Sequence, residues 1–127
     1  MEALIYLDTH VVAWLYLGDA KRLSPRARQS IEQNELLVSP MVLLELDFLK
    51  ETGRLRVSGG AIFDDLRRRI GLEVCDLGFG AIIAAACDLD WTRDPFDRVI
   101  VGHAAASGRP LLTKDRSIRR RFRAAVW

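Results

Sequence analysis

The chain has 127 residues, nineteen basic against seventeen acidic, for a net charge of +2; half of its residues are hydrophobic and 28% charged. That length suits one core, so residues 1–127 are expected to form a single domain, and the composition excludes disordered and collagen-like classes. No apolar stretch reaches the ~20 residues that span a bilayer, the start Met-Glu-Ala-Leu-Ile-Tyr-Leu-Asp lacks secretory-signal features, and two cysteines are too few for a disulfide framework. The expectation is a cytoplasmic protein without membrane contact, with Cys75 and Cys87 reduced in the core.

Leu4 to Leu7 is a short apolar run ending at Asp8, which reads as a buried strand. Thr9 is placed to cap an apolar helix over Val11 to Leu17, stopped near Gly18. Ser24-Pro25 opens a helix to about Asn34, and Leu36 to Val38 is a second strand. Ser39-Pro40 repeats the helix-start signal, with Gly53 as the stop beyond Thr52. The stretch from Gly59-Gly60 to Gly71 is a helix in which Asp64 and Asp65 can pair with Arg67, Arg68 and Arg69. Leu72 to Cys75 is a third strand, and Phe79 to Cys87 an alanine-rich, closely packed helix. Asp94-Pro95 opens a helix ending at Gly108, Pro110 to Thr113 is a fourth strand, and Ser117 to Arg123 a last short helix. Short apolar strands alternating with helices predict an α/β protein with a central parallel sheet covered on both faces. In such sheets the reactive crevice lies beyond the carboxyl ends of the strands, where Asp8, Ser39 and Thr113-Lys114-Asp115 fall.

Charge is unevenly distributed. Arg109 to Arg123 holds seven bases and one acid, leaving twelve bases and sixteen acids elsewhere. Such a basic end suits a polyanionic partner as well as a plain solvated face.

Several carboxylates break the expected pattern. Glu45 has Met41, Val42, Phe48 and Leu49 as helical neighbours, so it needs a cation, a proton or a cleft rim; Asp47 faces water. Asp94 occupies an N-cap, and Asp97 a first-turn position that a capping box would also explain. Asp115 fits a turn or a cap, whereas Asp8 closes a buried strand. Together Asp8, Glu45, Asp97 and Asp115 converge on one end of the sheet, where they repel unless protonated or bridged by a cation. Oxygen-only ligands favour Mg²⁺ or Mn²⁺ over zinc. His10 and His103 have no serine or cysteine partner that would make a nucleophilic triad; His10 suits a helix-start surface position, with contact to substrate beside Asp8 as the alternative, and His103 a structural one.

These residues match a known pattern. The segments Tyr-Leu-Asp-Thr-His (6–10), Arg-Leu-Ser-Pro-Arg-Ala-Arg (22–28), the Glu45 helix, Arg-Asp-Pro-Phe-Asp-Arg (93–98) and Leu-Leu-Thr-Lys-Asp-Arg (111–116) span nearly the whole chain. In their order the chain resembles PIN-domain ribonucleases, and among them the VapC-type toxins of bacterial type II toxin–antitoxin pairs. The resemblance implies a three-layer α/β/α sandwich and an Mg²⁺-dependent endoribonuclease that cuts single-stranded or structured RNA, hydrolysing its phosphodiester bonds with metal-activated water and leaving a 5′-phosphate and a 3′-hydroxyl. Its acidic quartet falls on Asp8, Glu45, Asp97 and Asp115, as catalytic and metal-holding residues, with Thr9 and Thr113 orienting carboxylates behind them. It further implies a cognate antitoxin and homodimerisation, with an apolar groove around Trp14, Leu17, Phe48 and Leu49 as the antitoxin-facing surface or as ordinary core. Where the family often carries a second acid, Lys114 and Arg116 flank Asp115, which leaves one metal or two open and gives Lys114, Arg116, Arg119 and Arg120 to the RNA backbone.

Three alternatives fit less well. A strand-end aspartate phosphatase needs a second aspartate where His10 stands, and a receiver domain needs adjacent acids at the first strand, for which Glu2 comes too early. A non-catalytic PIN-like RNA-binding or scaffold protein would be expected to have lost acids from the quartet.

Overall fold

Five parallel strands form one sheet in the order β3-β2-β1-β4-β5, namely β1 (Leu4–Leu7), β2 (Glu35–Val38), β3 (Glu73–Val74), β4 (Leu111–Leu112) and β5 (Ala125–Val126). The helices are α1 (Thr9–Leu17), α2 (Pro25–Gln33), α3 (Pro40–Glu51), α4 (Gly59–Ile70), α5 (Phe79–Cys87), α6 (Pro95–Ser107) and α7 (Arg116–Arg121), with a 3-10 turn at Ala20–Arg22. This computed structural model describes residues 3–127; Glu2 lies outside the described residues.

Right-handed crossovers put the helices that link β1 to β2 and β2 to β3 on one face, and α5 and α6 on the other. The contacts agree: α1, α3 and α4 pack on one another, and α5 packs on α6. The result is the α/β/α sandwich. Ile5, Leu7, Leu36, Val38, Leu111 and Leu112 carry the core through the sheet, all less than 5% exposed. On the α6 side the Tyr6 hydroxyl donates to Cys75 Sγ at 2.8 Å and lies 2.7 Å from Ser107 Oγ, so a buried phenol is satisfied at both lone pair and proton.

Local chemistry explains the element ends. Ser24, Ser39 and Ser58 cap α2, α3 and α4 through their hydroxyls, and Gly18, Gly71 and Gly108 close α1, α4 and α6 in the left-handed region. Gly59 has a different task. A Cβ there would run into the Leu43 carbonyl oxygen, so glycine lets α4 approach α3.

The structure corrects several expectations. Asp8, not Thr9, caps α1, because its extended backbone lets its carboxylate accept the Thr9 N–H at 2.8 Å and the helix starts two residues before Val11. A fifth strand at Ala125–Val126 and the 3-10 turn carry too few residues to show a period. Among the described residues, Asp65 is the one acid of α4 in an ion pair, with Arg69. Asp47 does not simply face water but accepts the Gly59 N–H at 2.7 Å, supporting the start of α4. Cys75 is in the core, but Cys87, the last residue of α5, is exposed.

Candidate active site

The strand order turns at β1: the chain moves outward through β2 and β3, then returns to the other side of β1 at β4. That leaves a crevice beyond the carboxyl ends of β1 and β4. Asp8 ends β1 there and is 4% exposed. Both of its oxygens are engaged, Oδ1 by the Thr9 N–H and Oδ2 by the Thr113 hydroxyl at 2.7 Å. The Thr113 oxygen in turn accepts the Asp115 N–H at 3.1 Å, while Asp115 Oδ1 caps α7 by accepting the Ile118 N–H at 3.0 Å. One hydroxyl therefore ties two of the acids together across the crevice.

Glu45 comes from the middle of α3, half-buried, and accepts the Thr9 hydroxyl. Burial raises its carboxyl above the usual range; the Thr9 bond opposes that, and Asp8 and Asp94 add to it. Asp97, in the first turn of α6, is pushed up to about 7 by burial and then by the negative charge of Asp94, Asp8, Asp115 and Glu45. All four expected acids thus share one electrostatic neighbourhood. Among the described residues no three acidic, histidine or cysteine side chains close into a ready-made coordination group, so the acids approach one another without touching.

Sequence reasoning missed parts of this site. Asp94 does cap α6, accepting the Phe96 and Asp97 N–H groups at 2.9 and 3.4 Å, yet it also bears on Glu45 and Asp97 as a fifth acid. Its place three residues before Asp97, on the same helical face, was the available signal. His10 is more than a surface residue: its Nε2 accepts the Lys114 N–H at 2.9 Å, so the neutral ring carries its proton on Nδ1, 3.6 Å from Asp8 Oδ2. Burial lowers its pKa, against the pull of Asp8 and Asp115. His103 is buried as a structural residue, its Nδ1 2.8 Å from Ser39 Oγ. Lys114 directs its ammonium over the Trp14 ring at 5.8 Å, and Arg116, Arg119 and Arg120 are exposed on α7.

A family model for the PIN domain matches residues 5–122. The chain belongs to the PIN-domain family. Within that family it is 32% identical over 119 residues to Ribonuclease VapC22 of Mycobacterium tuberculosis, covering 91% of this chain and 89% of that protein, which places it with the VapC proteins. The PIN fold is shared with a toxin-antitoxin complex from Klebsiella pneumoniae (TM-score 0.65, 16% identity, 99% of this chain and 97% of that chain). It is also shared with VapBC2 from Rickettsia felis bound to a DNA fragment from its promoter (TM-score 0.62, 17% identity, 92% of each chain) and with DNA-bound VapBC from Salmonella typhimurium (TM-score 0.60, 22% identity, 94% and 92%).

Proposed function

We propose that this PIN domain is a metal-dependent endoribonuclease, the toxin of a VapBC-type toxin–antitoxin pair, acting on RNA phosphodiester bonds in the cytoplasm. The observation that carries this reading is Asp8, buried at the switch point of the sheet with both oxygens fixed, and surrounded by the charges of Glu45, Asp97 and Asp115.

Mg²⁺ or Mn²⁺ suits the donor set, which offers carboxylate oxygens alone; burial first and mutual repulsion second raise the Asp97 and Glu45 carboxyls, and a hard dication offsets both. Asp8, Glu45 and Asp97 would hold it, with Asp115 joining it or a second ion. When bound, such an ion supplies activation of water and neutralisation of charge at phosphorus. The chain's own groups prepare the ground. The Thr9 amide and Thr113 hydroxyl stop the Asp8 carboxylate from turning, and the Thr9 hydroxyl orients Glu45. His10 pins the Lys114 loop against Asp8. Lys114, Arg116, Arg119 and Arg120 draw in the RNA backbone. An antitoxin and a second copy of the chain are its protein partners, and Leu17 and Phe48, 61% and 49% exposed, give the groove beside Trp14 and Leu49 an apolar surface for the antitoxin. No helix among the described residues is long and apolar enough to cross a membrane.

Asp8→Asn tests the reading. The amide keeps an oxygen to cap α1, so the fold persists, while RNA cleavage in Mg²⁺ and growth arrest on expression disappear. Wild-type cleavage that survives EDTA, or full activity in the variant, would overturn it.

A further inference from the structure

A second concave feature lies beside the carboxylates. Arg26 of α2, Arg116, Arg119 and Arg120 of α7, and Ala125 and Trp127 at the β5 edge line a cleft of about 540 Å³. Among the described residues no carboxylate comes within 4.0 Å of these four guanidinium groups; the ion pairs found are His10 with Asp8, Arg22 with Asp19 and Arg69 with Asp65. Arg119 makes one long bond, to the Lys114 carbonyl at 3.4 Å. Four like charges from two separate elements therefore converge with no carboxylate of the described residues at ion-pair distance, an arrangement that an anion stabilises.

One aromatic residue, Trp127, lines the cleft. Trp127 packs edge-on against His10, with centroids 6.4 Å apart, and against Trp14 at 6.0 Å. His10 is in turn 3.6 Å from Asp8, so the cleft and the acidic crevice are joined through one histidine ring. Trp14 is already engaged by cations, Arg22 at 5.5 Å and Lys114 at 5.8 Å from its centroid, which leaves Trp127 as the ring that lines the arginine cleft. Guanidinium groups grip phosphate in a planar fork, and an indole stacks on any base that is free of its duplex.

We propose that this cleft is the substrate track next to the site of cleavage: single-stranded RNA lays successive backbone phosphates along Arg26, Arg116, Arg119 and Arg120 and stacks an adjoining base on Trp127. The assignment rests on the nuclease reading and extends it to a strand that must be unpaired at this position. Arg26 and Trp127, outside the acidic quartet, become determinants of affinity for an unpaired strand. An acidic peptide would use the arginines but gain nothing from the indole.

The test is binding of a short fluorescein-labelled single-stranded RNA to the otherwise full-length Asp8→Asn protein in EDTA, read by anisotropy across a salt series. A matching oligomer without bases serves as comparison. Arg26→Ala with Arg119→Ala should weaken both ligands about tenfold or more at low salt and flatten the log–log salt slope by roughly 1.4, as two lost phosphate contacts require. Trp127→Leu, which keeps the bulk, should weaken the base-bearing RNA by about tenfold and leave the abasic oligomer unaffected. Arg67→Ala with Arg68→Ala removes equal charge from α4, near its junction with β3, and should change neither. Equal losses in both arginine pairs, indifference of base-bearing RNA to Trp127→Leu, or loss of antitoxin binding alone would overturn the proposal. The two readings separate cleanly: wild-type protein that binds through the cleft but cuts nothing in Mg²⁺ sinks the nuclease reading, and protein that cuts while the cleft variants bind normally sinks the track.

Discussion

Asp97 shows how a single side chain reports its surroundings. Its carboxyl titrates near 7 in the fold against an ordinary value of 3.8, so between those limits the native state holds more protons than the unfolded one. The contribution of Asp97 to stability therefore falls as pH rises from about 4 to 7 and levels off above that. Asp97→Asn removes the slope. The variant should match wild type at pH 4 and exceed it by about 1–2 kcal/mol at pH 8, a figure already reduced for partial solvent exposure, in urea titrations without divalent ions. Mg²⁺ added at pH 8 should then stabilise wild type more than the variant. The same pH dependence in wild type and variant would mean that neither burial nor the neighbouring acids raise Asp97.

At the scale of elements, proline and serine at helix starts and glycine at helix ends made α2, α3, α4 and α6 legible to within a residue or so, because capping is local chemistry. The strands β1 and β2 were legible as apolar runs. Two-residue β5 was not, since its stability comes from pairing with β4 and not from its own composition. The same division holds at the site. Asp8 and Glu45 stood out as acids in apolar settings, and Asp97 and Asp115 by position and resemblance. The Thr113 relay, the His10 contact with the Lys114 amide and the arginine cleft join residues about ninety or more apart, which no local pattern displays. Gly59 was read only as a helix start, yet its hydrogen faces the Leu43 carbonyl. Gly59→Ala should accordingly push α4 from α3 and cost about 2 kcal/mol by chemical denaturation, whereas Gly60→Ala, with open space at the Cβ position, should be neutral or better.

For the molecule as a whole, charge and topology reinforce each other. The strand order reverses at β1, so the acids gather at one mouth, and α7 with its arginines begins at its cap Asp115, just beyond β4. The negative pocket thus has a positive approach beside it, an arrangement that steers a polyanion in without neutralising the acids. A separate consequence follows from the two thiols. Cys75 sits under the Tyr6 hydroxyl, and Cys87 stands in solvent on α5. A maleimide dye should attach once per chain to the native protein, at Cys87, and a second time only after denaturant opens the core, as intact-mass spectra would record. Two fast adducts without denaturant would show that Cys75 is not sealed. With one adduct, the wild-type chain already carries a single defined point for a fluorophore, and its distance to a labelled antitoxin or nucleic acid can be followed with no cysteine engineering.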